Sequence, residues 1–200
     1  MKTRPLLMTT GNVRKIRAGE KTQTRRVMVI EPETDAAGNI LSLPPCPYGE
    51  PGDLLAIKET FYCFGYWCDL NLGLPGKAQW SWVDQTDAAH PVLFPSTLHG
   101  HTPPKVPRGL TGYHKRPSIY LPKDEWRTFL EITEIRAERL QDISPWDALY
   151  EGVSSSGDAR DNFKKLWESI NGTPRANGED ISWSANPWVW ALTFKMKPQP

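Results

Sequence analysis

The chain has 200 residues, 38% of them hydrophobic, and a formal net charge of +1, enough apolar material to bury a sizeable core in one elaborated domain. No run of eighteen apolar residues occurs, which argues against a transmembrane helix, and the apolar patch in "MKTRPLLMTTGNVRK" is too short for a signal-peptide core. The expectation is a soluble, cytoplasmic protein with no membrane partner, and the three cysteines, Cys46, Cys63 and Cys68, fit a reducing compartment better than a disulfide framework.

The distribution of charge says more than its sum. Residues 1–30 carry Lys2, Arg4, Arg14, Lys15, Arg17, Lys21, Arg25 and Arg26 against Glu20 alone, so the remainder of the chain is net acidic. Such a cluster attracts phosphates or an anionic substrate and makes binding sensitive to salt; a solvated helix face is the plain alternative. It is densest in "RAGEKTQTRR", residues 17–26.

In chain order, "TGNVRKIRAG" reads as a short helix with Thr10 or Asn12 as cap, Val13 and Ile16 one turn apart, and Gly19 as the stop. Lys21–Arg26 reads as a loop running into a strand, "VMVI". The cationic cluster therefore falls where a helix hands over to a strand. A turn-rich linker follows to Asp53, then "LLAIKETFY" as a second strand, in which alternation aligns Leu55, Ile57, Glu59 and Phe61. Glu59 on that face needs a cationic or hydrogen-bonding partner, for which the N-terminal cluster is a candidate, or an edge position that reaches water.

Residues 62–117 are rich in aromatics, prolines and glycines with little sustained periodicity, and read as a loop-rich insertion within a single domain spanning residues 1–200. Its stretch "LHGHTPPKVPRGLTGYHKRP" is basic and Pro-rich, suited to a lid or to a surface contacting nucleic acid. The spacings of His99 with His101 and of Cys63 with Cys68 match no strong zinc pattern, so no metal site is expected.

Beyond the insertion, "RPSIYLP" reads as a short strand and "WRTFLEITEIRAERLQDI" as a long half-buried strand with a bulge, alternating Phe129, Glu131 and Thr133 with Leu130, Ile132 and Ile135. Ser144 caps a helix with Pro145 at its first position and Asp147 three residues after the cap; Gly152 ends it, and Glu151 sits in its last turn, where the helix dipole disfavours a carboxylate. A second helix over "DARDNFKKLWESI" puts Phe163, Leu166, Trp167 and Ile170 on one face. The final strand, "NPWVWALTFKM", places Trp188 and Trp190 on one side, more in keeping with core than with base stacking. Strands and helices without βαβ alternation predict an α+β fold, a small, mostly antiparallel barrel flanked by helices.

"GEKTQTRR" resembles the Gly-x-Lys-x-x-Thr-x-Arg signature of ASCH domains, small members of the PUA-like superfamily, with Gly19, Lys21, Thr24 and Arg26 matching in turn. "PGDLLAI", "LEITEIRAERLQDIS" and "PWVWALTFK" are similar to that family's strands, and "CPYGEPGD", "KETF", "LWESING" and "NPWVW" to larger ASCH-containing proteins of phages and prophages. The resemblance implies a PUA-like β-barrel. Compact members include amidohydrolases that remove the acyl group from N4-acetylcytidine, which implies here Lys21 as general base, Thr24 as nucleophile, Glu151 as the catalytic carboxylate, and Arg26 holding substrate or oxyanion. Arg25 stands where compact members commonly carry an apolar residue, and with Glu59 completes the candidate substrate-binding set. A modified nucleoside is the expected partner, RNA or DNA the alternative, and no cofactor is expected.

A threonine hydroxyl needs a base within reach, and an ordinary lysine is protonated. Burial and the neighbouring arginines push Lys21 toward neutrality while Glu151 pushes it back, a sign left open by sequence. Three readings follow: an amide-bond hydrolase of N4-acylated cytosine derivatives, a binding module for RNA or modified DNA without catalysis, and a phage structural protein with a vestigial cleft.

Overall fold

The computed structural model describes residues 1–71, 77, 79–98 and 102–198. Thr3–Leu7 forms strand β1, absent from the sequence reading, and Thr10–Arg17 forms helix α1, which buries Val13 and Ile16. The cap is Thr9, whose Oγ1 accepts the Asn12 N–H at 3.3 Å.

Strand β2 is Gln23–Val27, so the expected loop over Lys21–Arg26 and strand over "VMVI" are both displaced. Val29 and Ile30 are exposed, and the polar "QTRRV" makes the ladder instead. A partner strand accepts residues 23–27 in register, and that pairing outweighs the β-propensity of the apolar run.

The linker holds a small hairpin, β3 (Glu33–Thr34) with β4 (Ile40–Ser42). The expected strand "LLAIKETFY" divides into β5 (Leu54–Lys58) and β6 (Phe61–Asp69) at Glu59–Thr60. Strands β7 (Trp80–Asp84) and β8 (Gly112–Arg116) flank β6 in an antiparallel sheet, order β7-β6-β8, so the span 62–117 is built on a sheet and is not loop-rich throughout. The strand signal is weak because β6 buries Phe61 and Cys63 alternately with half-buried Tyr62 and Phe64, leaving no clean polar face. "RPSIYLP" forms a 3₁₀ turn, Ser118–Tyr120, between Pro117 and Pro122; neither proline can donate to a ladder.

Strand β9 (Phe129–Arg139), helix α2 (Pro145–Tyr150), helix α3 (Ala159–Asn171) and strand β10 (Trp188–Lys197) follow. Ser144 and Asp158 cap the two helices, accepting the Asp147 and Asp161 N–H groups. On α3, Phe163 and Trp167 are buried as expected and Leu166 is half-buried, whereas Ile170 is exposed because the helix's contact with the core ends at Trp167.

The main sheet runs β1-β5-β9-β10-β2 and is open: among the described residues no ladder joins β1 to β2, which corrects the expected barrel. Closure needs tilted, staggered edge strands long enough to pair, and here both edges are five-residue strands. The α+β class stands.

The bulge lies on β9. Thr193 faces Glu134 and Phe194 faces Ile132, so Thr133 is the unmatched residue. The one-residue offset puts Leu130 and Ile132 on the same face as Ile135 and Ala137. It turns Glu134, Arg136 and Glu138 to the other.

Two compact units divide the chain: Met1–Pro5, Lys15–Ala56 and Thr128–Pro200 form one, Leu6–Arg14 and Ile57–Arg127 the other. The first packs Leu140, Ile143, Ala148, Phe163 and Trp167 against Val189 of β10; Trp188 and Trp190 are buried too. The second has its own cluster of Phe61, Cys63, Phe94 and Leu121. No helix among the described residues is long and apolar enough to cross a membrane.

Candidate functional site

Along β2, alternation sends Gln23 and Arg25 to one face and Thr24 and Arg26 to the other. Arg25 lies opposite Ala191 of β10, and Ala191 lies opposite Arg136 of β9. With only a methyl between them, the two long arginine side chains reach the same acid: Arg25 Nη2 is 3.3 Å and Arg136 Nη2 3.0 Å from Asp147 Oδ2.

Arg25 is fully buried and held on all sides. Its Nε donates to Glu138 Oε1 at 2.8 Å, its Nη1 to Gln23 Oε1 and Glu151 Oε1 at 3.3 Å each, and the guanidinium lies 5.8 Å from the Phe163 ring. A side chain so engaged is a scaffold for the carboxylates around it; contact with substrate would require breaking it free.

The segment before β2 closes the end of α2. A helix C-terminus leaves carbonyls without partners, and three are taken here: Tyr150 O by the Thr22 N–H (2.9 Å), Glu151 O by Lys21 Nζ (2.9 Å) and Gly152 O by Lys15 Nζ (2.5 Å). Gly152 turns there with φ +82°, and a Cβ on it would sit 3.1 Å from both the Lys15 and Lys21 side chains. Part of the cationic cluster thus has a local cause: it caps a helix.

Lys21 does more than cap. Its Nζ also donates to Glu151 Oε2 at 2.5 Å, with 2% of the lysine side chain and 5% of the glutamate side chain exposed. Burial drives the Lys21 amine below its ordinary value of 10.5; Glu151 opposes this, and Arg26 and Arg25 add to it. The sign left open by the sequence is therefore downward.

Of the expected residues, Lys21, Glu151 and Arg25 come together. Thr24 is buried on the opposite face of β2, across from Leu192, and no hydrogen bond joins it to Lys21 among the described residues. Arg26 shares that face, across from Trp190. Glu59 belongs to the second unit, fully buried, where the Ser96 hydroxyl donates to Oε2 and Arg127 Nε to Oε1 at 3.0 Å. Its partner is neither the N-terminal cluster nor water, because Arg127 lies in its own unit. His99 and His101 lie outside the described residues.

Sequence reasoning missed Gln23, Arg136, Glu138 and Asp147. The signal for Gln23 was its spacing two residues from Arg25. Asp147 was visible only as a capping-box residue, and it uses its N–H for the cap and its carboxylate for two arginines.

The crystal structure of an ASCH domain from Lactobacillus crispatus is similar to this chain at 12% sequence identity, with a TM-score of 0.37, covering 98% of this chain and 79% of that one. No family model matches the chain, and no curated protein matches it.

Proposed function

We propose that the chain is an amide-bond hydrolase of N4-acylated cytosine nucleosides, with Lys21 and Glu151 as its proton-transfer pair and Thr24 as nucleophile. The observation that carries the proton-transfer assignment is the buried Lys21–Glu151 pair, whose amine is lowered toward neutrality by desolvation. The substrate class rests on the resemblance of "GEKTQTRR" to the ASCH signature.

On this reading, substrate entry draws Lys21 Nζ off Glu151 and toward the Thr24 hydroxyl, leaving its proton on the carboxylate. The neutral amine takes the Thr24 proton, Oγ1 attacks the acyl carbon, and Glu151 returns its proton to the exocyclic nitrogen as the C–N bond breaks. Water then cleaves the threonyl ester, giving the free acid. Arg25, tied to Glu138, Asp147 and Glu151, holds the carboxylate in place.

Incubation with N4-acetylcytidine, followed by absorbance as cytidine appears, tests the proposal. Turnover that disappears in Lys21→Met and in Thr24→Val with the fold retained supports it. Turnover surviving in Thr24→Val removes the nucleophile and leaves a water-attack mechanism. No turnover, with salt-dependent RNA or DNA binding that Lys21→Met weakens, establishes the alternative of a binding module, which the lack of a Lys21–Thr24 bond favours.

A further inference from the structure

The second unit has a cavity of about 710 Å³ that the hydrolase reading does not use. Among the described residues its walls carry three aromatic rings, Tyr62, Trp67 and Tyr113, and three cations, Lys105, Arg108 and Lys115, with no aspartate or glutamate. None of the three cations forms an ion pair with a described residue; Arg108 lies only over the Trp80 ring, at 5.5 Å.

The walls are built, not merely adjacent. Trp67 meets Trp82 edge to face at 5.4 Å and has the Arg116 guanidinium 4.9 Å from its centroid, while Tyr113 meets Phe64 edge to face at 5.2 Å. The Pro-rich wall is seated by Val106 on Gly112: a Cβ at Gly112 would lie 2.7 Å from Val106 Cγ2. His114 Nε2 lies 3.1 Å from the Leu110 carbonyl oxygen and ties the following turn to β8.

Rings of fixed orientation accept the faces of planar bases of any sequence, and unpaired lysine and arginine head groups beside them accept phosphates. A cavity of this volume takes a nucleotide-sized group, and three separate cations suit consecutive phosphates better than a single one. We infer that this cavity binds single-stranded nucleic acid through base stacking on Tyr62, Trp67 and Tyr113 and phosphate contacts from Lys105, Arg108 and Lys115. The site is separate from the Lys21–Glu151 pair and stands or falls independently of the hydrolase reading.

The test is fluorescence anisotropy of the full chain with labelled oligo(dT) and oligo(rU) of about 12 nucleotides, a length in the range of known single-strand sites, across a salt series. The double variant Lys105→Ala/Lys115→Ala should weaken binding about tenfold and flatten the slope of log K against log salt by about 1.4, two phosphate contacts' worth. Tyr62→Ala should weaken it about tenfold without changing that slope. The control Lys195→Ala/Lys197→Ala removes the same charge in the other unit and should leave binding unchanged; an equal loss there overturns the inference, as does no binding by the unaltered chain. Free UMP or dTMP binding as tightly as the oligonucleotides overturns the strand and leaves a mononucleotide pocket. Should Tyr62→Ala fail to fold, the lysine pair and its salt slope still decide.

Discussion

Two regions of this chain are rich in cations, and they use them in opposite ways. Around β2, Lys21 and Arg25 are buried and answered by Glu138, Asp147 and Glu151, so the densest positive stretch of the sequence presents little free charge at those positions. Along the cavity of the second unit, Lys105, Arg108 and Lys115 are thinner in sequence but unmatched by any described acid. A lysine or arginine count in a window of sequence measures what the fold has to neutralise as much as what a ligand can meet; the strands brought alongside decide which.

The sharpest way to break that contrast is Arg25→Met. It takes the fully buried cation away from Glu138, Asp147 and Glu151, leaving them only Arg136 and Lys21, and should cost about 3–5 kcal/mol in chemical denaturation, with oligonucleotide affinity unchanged. A loss under 1 kcal/mol, of the size typical of exposed pairs, would show that the network is not the keystone its burial implies. Next is Ala191→Leu, which fills the gap Arg25 and Arg136 cross; overpacking there should cost about 1–3 kcal/mol. Gly152→Ala forces a β-carbon onto a left-handed turn and against Lys15 and Lys21, for about 1–2 kcal/mol and, on the proposed hydrolase reading, a loss of turnover.

The pH dependence refines the picture. Below the lowered pKa of folded Lys21, folded and unfolded chains both hold the proton. Between that value and the ordinary 10.5, only the unfolded chain does, so the folded state gains as pH rises through this window. The unaltered chain should therefore gain on Lys21→Met as pH climbs toward 10.5, by at most about 1.4 kcal/mol per pH unit. A difference that stays flat would mean an amine with its ordinary affinity for protons. At the small end, Lys105→Ala should move stability by no more than about 0.5 kcal/mol, since that charge pairs with no described residue.

How much of this was legible follows from where each constraint originates. Helices α2 and α3 were readable because Ser144, Pro145 and the Phe163/Trp167 spacing are local signals. The Lys21–Glu151 pairing came from the family resemblance alone, since the two residues are far apart in sequence. Strand β2 was misplaced because "QTRRV" has no apolar alternation; its order comes from β10, a partner far along the chain. Glu59 stands out in the sequence as a carboxylate on an apolar face, but its partner, Arg127, is not legible there because nothing local ties residue 59 to residue 127. The three-stranded sheet of the second unit was missed for want of a polar face in β6.

Thr133 governs more than the ladder it interrupts. Strand β9 reads in two frames, and this one residue is the frameshift: upstream of it, even-numbered side chains line one surface, and downstream, odd-numbered ones do. A relative lacking that insertion would deliver Glu138 and Arg136 to the wrong side unless its acids and bases had moved over by one place. The presence or loss of a single threonine is thus a bookmark for locating the buried charge network in any aligned chain, even where Lys21 itself has been replaced.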